Sequence, residues 1–188
     1  MKLYHENYPA PNPRKVRIYL AEKNLPIELV HVPMRERAHK APDFMKKNSL
    51  GQVPVLQTDD GRFISESVAI CRYFEALHPQ IRRAEFRLWA PMSQVWRNAD
   101  ERTEQVIKVR FKDFGEHSRG VVADAMNWID GELADGREFL SGANFSMADI
   151  VLLCGIDFAK FVRMEMPGDA RHLRAWHQRV SARPSARA

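Results

Sequence analysis

The sequence predicts an α/β domain followed by an all-α domain, and three observations lead to this fold class. Short apolar runs rich in β-forming residues alternate with helical segments up to His78. After Pro79 no run has strand character, whereas helical periodicity returns at 84–109, 116–133, 147–161 and 170–180. We therefore expect a first domain at 1–78, a linker at 79–83 and a helical-bundle domain at 84–188.

The elements of the first domain are predicted to follow the order βαβαββα. They are a strand at 2–5, a helix opened by Asn12-Pro13, a strand at 27–32, a short helix from Pro42, two strands at 53–56 and 62–64, and a helix ending at His78. The turn Asp59-Asp60-Gly61 separates the last two strands and is typical of a hairpin, because glycine accepts the positive φ that such turns require. These two strands are therefore expected to pair antiparallel.

In the second domain, the segment from Ser146 to Asp149 predicts the start of a helix. Ser146 can accept a hydrogen bond from a first-turn amide, and Asp149 can accept one from the Ser146 amide. Phe145 and Ile150 flank this cap at the spacing of a hydrophobic staple. The motif indicates how the chain enters the helix and carries no chemistry of its own.

The composition is that of a globular protein and argues against several classes. The net charge of +5 is spread among acidic residues instead of forming one basic stretch, so nucleic-acid binding is not expected. No apolar run approaches the ~20 residues that span a bilayer, so we expect a cytoplasmic protein without a membrane role. Cys71 and Cys154 lie among apolar residues without redox or zinc-ligand spacing, which indicates structural roles and no metal site.

Two stretches of the first domain have the residue types of a binding site. As a cis residue, Pro54 would turn the Val53 amide and carbonyl outward to pair with an extended peptide, and as a trans residue it would merely open a strand. A serine of Ser65-Glu66-Ser67 is either a helix cap or part of a carboxylate site at the helix N-terminus. Glu66 can accept from an ammonium group, so the stretch suits an amino-acid head group.

The stretches Gly51-Gln52-Val53-Pro54-Val55-Leu56 and Glu66-Ser67-Val68-Ala69-Ile70 together resemble the glutathione site of the glutathione S-transferase superfamily. The resemblance extends to Lys15-Val16-Arg17, to the capping segment at 145–149 with Gly142 ahead of it, and to the closing Ala175-Trp176 and Arg183-Pro184-Ser185. It covers nearly the whole chain. It implies that the first domain is thioredoxin-like and that glutathione is a co-substrate.

The resemblance also implies a role for each residue of these stretches. Pro54 would be the family's cis-proline, and the Val53 backbone would pair with the cysteinyl part of glutathione. Glu66 and Ser67 would hold the γ-glutamyl end, with Gln52 beside them.

A basic pair, His39-Lys40, precedes the second helix in a polar segment. The resemblance implies that this pair reaches the glycine carboxylate of glutathione. A lysine in such a segment is otherwise an ordinary solvated side chain.

The usual catalytic hydroxyl of the family is absent. Transferase chemistry needs glutathione as its thiolate, which a hydrogen-bond donor at the start of the first helix favours. Family members resembling this one commonly place Ser, Thr or Cys there, and the matching residues here are Ala10-Pro11-Asn12. Asn12 is the first candidate donor, although its place before Pro13 also suits a helix cap, and the Tyr8 phenol is the second.

We expect an enzyme of detoxification that joins glutathione to a hydrophobic electrophile and assembles as a homodimer. The alternative is a non-catalytic glutathione-binding or regulatory protein with the same fold, which Ala10 favours. A disulfide exchanger or glutathione-dependent reductase would need a cysteine at the start of the first helix, where the sequence has none.

Overall fold

The computed structural model describes residues 1–7, 10–78 and 112–188, with the backbone alone for 112–117. These residues form two compact units. The first contains the described residues up to His78 together with Arg183–Ala188, and the second contains those from Lys112 to Ala182. The predicted linker at 79–83 lies outside the described residues, and the domain bounds stay a prediction.

A four-stranded mixed sheet forms the centre of the first unit. Its strands are β1 (Lys2–His5), β2 (Glu28–His31), β3 (Val55–Gln57) and β4 (Phe63–Ser65), in the spatial order β2-β1-β3-β4. β1 pairs parallel with β2 and antiparallel with β3, and β3 pairs antiparallel with β4. Gly61, with a φ of +83°, lies between β3 and β4, which confirms the predicted hairpin.

Three α-helices complete the predicted βαβαββα order: α1 (Pro11–Glu22), α2 (Pro42–Met45) and α3 (Ser67–Leu77). Helices α1 and α3 pack against each other and bury apolar residues such as Val16 and Phe74. Burial of a side chain of this size stabilises a fold by about 1.5–3 kcal/mol. This packing therefore stabilises the position of the segments that connect α1 and α3 to the sheet.

A buried ion pair also joins α1 and α3. Lys23, just after α1, places its Nζ 2.9 Å from Glu75 Oε2 on α3 and donates to the His78 carbonyl. The Tyr19 hydroxyl donates to the same carboxylate at 2.6 Å. Removing one partner of such a pair leaves a buried charge uncompensated, so the pair fixes how the two helices meet.

The segment Arg183–Ala188 belongs to the first unit, whereas the sequence assigned it to the helical domain. The Arg183 guanidinium donates to both oxygens of Glu22 on α1, at 2.9 and 2.7 Å, and the Ser185 hydroxyl donates to the same carboxylate. Burial alone would raise the pKa of Glu22, but these hydrogen bonds outweigh it and hold the pKa below its ordinary value. This polar attachment is the physical reason for the difference.

The second unit is helical, with α4 (Lys112–Glu132), α5 (Met147–Phe161) and α6 (Arg171–Ser181). Asp130 on α4 accepts the backbone N–H of Leu173 at 2.7 Å and so supplies an acceptor to the first turn of α6. Three of the four predicted helical segments are therefore confirmed, and the one at 84–109 lies outside the described residues. An α/β domain followed by an all-α domain is the observed fold class.

Asp149 organises the entry into α5 and confirms the predicted capping box. Its Oδ2 accepts from the Ser146 backbone N–H and hydroxyl, both at 2.9 Å. Its Oδ1 accepts from the Leu140 N–H and from the Trp176 indole N–H of α6, also at 2.9 Å. One fully buried carboxylate therefore joins three segments of the unit.

Candidate functional site

The topology brings the predicted binding residues of the first unit to one edge of the sheet. Because β3 runs antiparallel to both neighbours, its first residue, Val55, lies opposite Tyr4 of β1 and Ser65 of β4. Val53-Pro54 immediately precedes Val55, and Glu66-Ser67 immediately follows Ser65. Chain connectivity therefore places these two pairs side by side, at the edge where β1 also ends.

The Val53–Pro54 peptide bond is cis. The Val53 side chain is anchored in a core cluster with Val32, Phe44 and Val55. Its backbone N–H and C=O form no hydrogen bond with another described residue. A segment that is fixed by its side chain and keeps its backbone groups available can bind an extended peptide by strand-like pairing.

Asn48 shapes the loop that leads to Val53, and sequence reasoning missed it. Its side chain is buried, its Nδ2 donates to the Gln52 carbonyl at 2.9 Å, and its Oδ1 accepts from the Leu50 N–H at 3.1 Å. The Gln52 side chain is exposed. Asparagine side chains commonly bond to nearby backbone in this way, and that general tendency was the only sequence signal available.

The predicted basic pair lies against this loop. His39 and Lys40 belong to a 3₁₀ turn, and Lys40 Nζ donates to the Leu50 carbonyl at 3.0 Å. Gly51 has a φ of +56°, and a Cβ there would lie 2.7 Å from the His39 carbonyl oxygen. Glycine is therefore required both by its backbone conformation and by close packing.

Helix α3 begins with a strained residue. Glu66 has φ 71° and ψ 120°, which costs a non-glycine residue about 1–3 kcal/mol. Neither serine caps the helix: Glu66 holds the cap position without a side-chain hydrogen bond, and Ser67 is the first helical residue. The cap interpretation is therefore wrong. Strain at the N-terminus of a helix, next to a backbone segment that pairs with no other described residue, is typical of a ligand site.

Helix α1 begins at Pro11, earlier than predicted, and Ala10 holds the cap position without a side-chain hydrogen bond. Asn12 lies inside the first turn, so the interpretation of Asn12 as the cap is wrong. The reason is that Pro11, with its fixed φ and no N–H, is itself suited to the first helical position. The predicted second candidate, Tyr8, lies outside the described residues.

The Asn12 side chain is oriented by a lysine one turn further along α1. Its Oδ1 accepts from Lys15 Nζ at 3.0 Å, and no described residue accepts a hydrogen bond from its Nδ2. Lys15 is only 2% exposed. The Nδ2 group of Asn12 therefore keeps its N–H groups available to donate hydrogen bonds to a ligand.

Electrostatic contacts at the end of β1 fix the segment that carries the basic pair. Glu6 accepts from the Met34 N–H at 2.8 Å and lies 2.7 Å from His31 Nε2. Burial would raise the pKa of Glu6, but the hydrogen bonds from Met34 and His31 lower it below its ordinary value. The pKa of His5 is lowered by burial and by the Arg17 guanidinium beside it. The loop after β2 is thereby tied to the end of β1.

The two cysteines predicted to have structural roles, Cys71 and Cys154, are both buried. Among the described residues, no group of three or more histidine, cysteine, aspartate or glutamate side chains is arranged to hold a metal ion. None of the described helices is both long and apolar enough to cross a membrane.

Comparisons with known proteins identify the family. The model of the glutathione S-transferase N-terminal domain matches residues 10–77, and that of the C-terminal domain matches residues 94–179. Glutathione S-transferase 2 of Saccharomyces cerevisiae is 34% identical over an alignment that covers 94% of this chain and 84% of that protein.

Solved structures agree. A glutathione S-transferase domain-containing protein from Marinobacter aquaeolei VT8 superposes with a TM-score of 0.78 at 32% identity, over 98% of this chain and 99% of that chain. Gtt2 from Saccharomyces cerevisiae gives a TM-score of 0.77 at 32% identity, over 100% of this chain and 99% of that chain. The chain belongs to the glutathione S-transferase superfamily.

Proposed function

We propose that the protein binds glutathione at the edge of the sheet formed by Val53, Glu66 and Ser67, and joins its sulfur to an electrophilic small molecule. The observation that carries this proposal is that the Val53 backbone N–H and C=O bond to no other described residue and lie beside the strained start of α3. Family membership supports glutathione as the co-substrate.

The γ-glutamyl end of glutathione carries an ammonium and a carboxylate, and the start of α3 offers a partner for each. The exposed Glu66 carboxylate suits the ammonium. The Ser67 hydroxyl and the first amides of α3 suit the carboxylate, because N–H groups and the helix dipole favour an anion there. The Val53 N–H and C=O then pair with the cysteinyl backbone.

Lys40, His39 and Gln52 complete the proposed binding site. The loop packing that brings His39 and Lys40 against Gly51 supports a role for both at the glycine carboxylate. The Lys40 ammonium has three donors, so its bond to the Leu50 carbonyl leaves donors for a carboxylate. Gln52 lies beside Val53 with its side chain exposed and available to the same ligand.

The chemical step needs the thiolate of glutathione, whose thiol has an unperturbed pKa near 8.5. We assign the stabilising donor to the Asn12 amide, with Tyr8 as the other candidate. The thiol proton passes to solvent, the sulfur forms a bond to the electrophilic carbon, and that carbon releases its leaving group with the bonding electrons. Each unit by which the thiol pKa falls corresponds to about 1.36 kcal/mol of preference for the thiolate.

Calorimetry with glutathione followed by a conjugation assay with a chlorodinitrobenzene tests this function. We expect glutathione binding, and a fall in kcat of about 10- to 100-fold for Asn12→Ala, because a hydrogen bond to a charged group contributes about 1.5–3 kcal/mol. Asn127→Ala, an exposed asparagine of α4, is the matched control and should conjugate normally. Absence of binding at millimolar glutathione would reject the function, and an unchanged Asn12→Ala would reject the donor.

Ala10 favours a second candidate function, that of a non-catalytic glutathione-binding or regulatory protein. Its methyl group cannot donate to a thiolate at the position where the resemblance places a hydroxyl or thiol. This alternative predicts that glutathione binds to the wild type without conjugation of any electrophile tested. Turnover that depends on Asn12 would exclude it.

A hydrophobic electrophile, a homodimer, a cytoplasmic location and a role in detoxification complete the proposal. They rest on family membership alone. Sedimentation equilibrium tests the assembly: a mass of twice the chain's 21.8 kDa supports the dimer, and the mass of one chain refutes it.

A further inference from the structure

Lys15 is a cation in an unfavourable place. It is 2% exposed and lies near the start of α1, where the helix dipole already concentrates positive charge. Lysine is rarely buried so completely, because its ammonium loses hydration and must be compensated. Such a position suggests a role that a solvent-exposed lysine could not perform.

The Lys15 ammonium donates a hydrogen bond to the Asn12 side chain, at 3.0 Å from Nζ to Oδ1. The amide oxygen and nitrogen lie on different sides of the Asn12 carboxamide carbon. An ammonium can only donate, so a flipped amide would set N–H against N–H. Lys15 therefore selects the orientation in which the Asn12 amide N–H groups point away from it.

This orientation matters because the first turn of α1 is poor in backbone donors. Pro11 and Pro13 have no N–H, and the Arg14 N–H donates to the Ala10 carbonyl. Among the first four helical residues, only Asn12 has a backbone N–H that does not bond to another described residue. The Asn12 side chain therefore adds donors at a helix start that has fewer available backbone N–H groups than usual.

We propose that Lys15 is a positioning residue for the thiolate: it locks the Asn12 amide so that its N–H groups face the glutathione sulfur. This inference rests on the proposed function and extends it to a residue that does not touch the substrate. The chain offers a natural contrast in Lys46, which bonds to Asp43 at the same spacing of three residues but is 76% exposed.

A double-mutant cycle tests the proposal on the full chain, with kcat for conjugation and the ultraviolet absorbance of bound thiolate as readouts. We expect Asn12→Ala to lower kcat about 10- to 100-fold and Lys15→Met to lower it about tenfold, with the double variant no slower than Asn12→Ala alone. Lys46→Met should leave kcat and thiolate absorbance unchanged. Multiplicative effects in the double variant would overturn the proposal, because Lys15 would then act independently of Asn12.

Asn12→Asp keeps the test decisive if Lys15→Met does not fold. It retains an acceptor for Lys15 while removing the N–H groups, so we expect a folded protein with thiolate absorbance as low as in Asn12→Ala. Wild-type thiolate absorbance in Asn12→Asp would overturn the positioning role. A wild type that neither binds nor conjugates glutathione would instead overturn the proposed function itself.

Discussion

Replacing Asp149 by alanine is expected to destabilise the helical unit severely. The carboxylate is fully buried and accepts from the Leu140 and Ser146 N–H groups and from the Trp176 indole. Each buried donor left without a partner costs about 1–3 kcal/mol. The Ser146 hydroxyl, the fourth donor, can rotate to another acceptor, so the three N–H donors, with some relaxation, give a loss of roughly 3–5 kcal/mol in the free energy of unfolding, which is at the high end for a single substitution.

Urea denaturation followed by circular dichroism measures this loss. The matched control is Asp124→Ala, an exposed aspartate of α4, whose effect should stay within about 0.5 kcal/mol. Trp176→Phe removes one of the three N–H donors. Its loss in the free energy of unfolding, which includes the repacking of the smaller ring, should lie between the losses of Asp149→Ala and Asp124→Ala. A loss below about 1 kcal/mol for Asp149→Ala would refute the view that this carboxylate joins the segments of the unit.

Three further predictions concern the first unit. Because the pKa of Glu22 is lower in the folded chain than its ordinary value of 4.5, the ionised carboxylate stabilises the fold at pH values above 4.5. Glu22→Gln should therefore be less stable than the wild type at neutral pH. The difference between their urea midpoints should vanish as the pH falls through the folded-state pKa of Glu22. Asn48→Ala should release the Gln52 carbonyl and raise the KM for glutathione severalfold with kcat little changed, whereas an equal fall in kcat and kcat/KM would contradict a purely binding role. Gly51→Ala should lower the thermal midpoint and weaken glutathione binding, because its Cβ meets the His39 carbonyl at 2.7 Å; normal binding would refute this packing.

The elements that were predictable are those encoded by local signals. The turn at Asp59–Gly61 and the capping box at Ser146–Asp149 each consist of adjacent residues whose side chains or φ angles favour one structure. Local signals fail where two neighbouring residues compete for one position. Pro11 and Pro13 both suit the first helical position, and the choice of Pro11 moves Asn12 from the cap into the first turn.

The remaining features depend on residues that are distant in the chain. Arg183 meets Glu22 across 161 residues, and no local pattern predicts that the closing segment packs on α1. Burial is equally invisible in sequence: Lys15 reads as one of many surface lysines until the fold encloses it beside Asn12. The candidate site was therefore predictable in its motif residues, and its supporting residues became apparent only from the folded structure.

Calorimetric titration of the wild type with glutathione and with cysteinylglycine tests whether this chain binds glutathione through the start of α3 and the Val53 backbone. Cysteinylglycine lacks the γ-glutamyl group that we assign to Glu66 and Ser67 but keeps the part assigned to the Val53 backbone. We expect glutathione to bind with a Kd on the order of 1 mM or tighter and cysteinylglycine to bind at least about tenfold more weakly. Equal affinity for the two thiols, or no binding of glutathione at millimolar concentration, would contradict it.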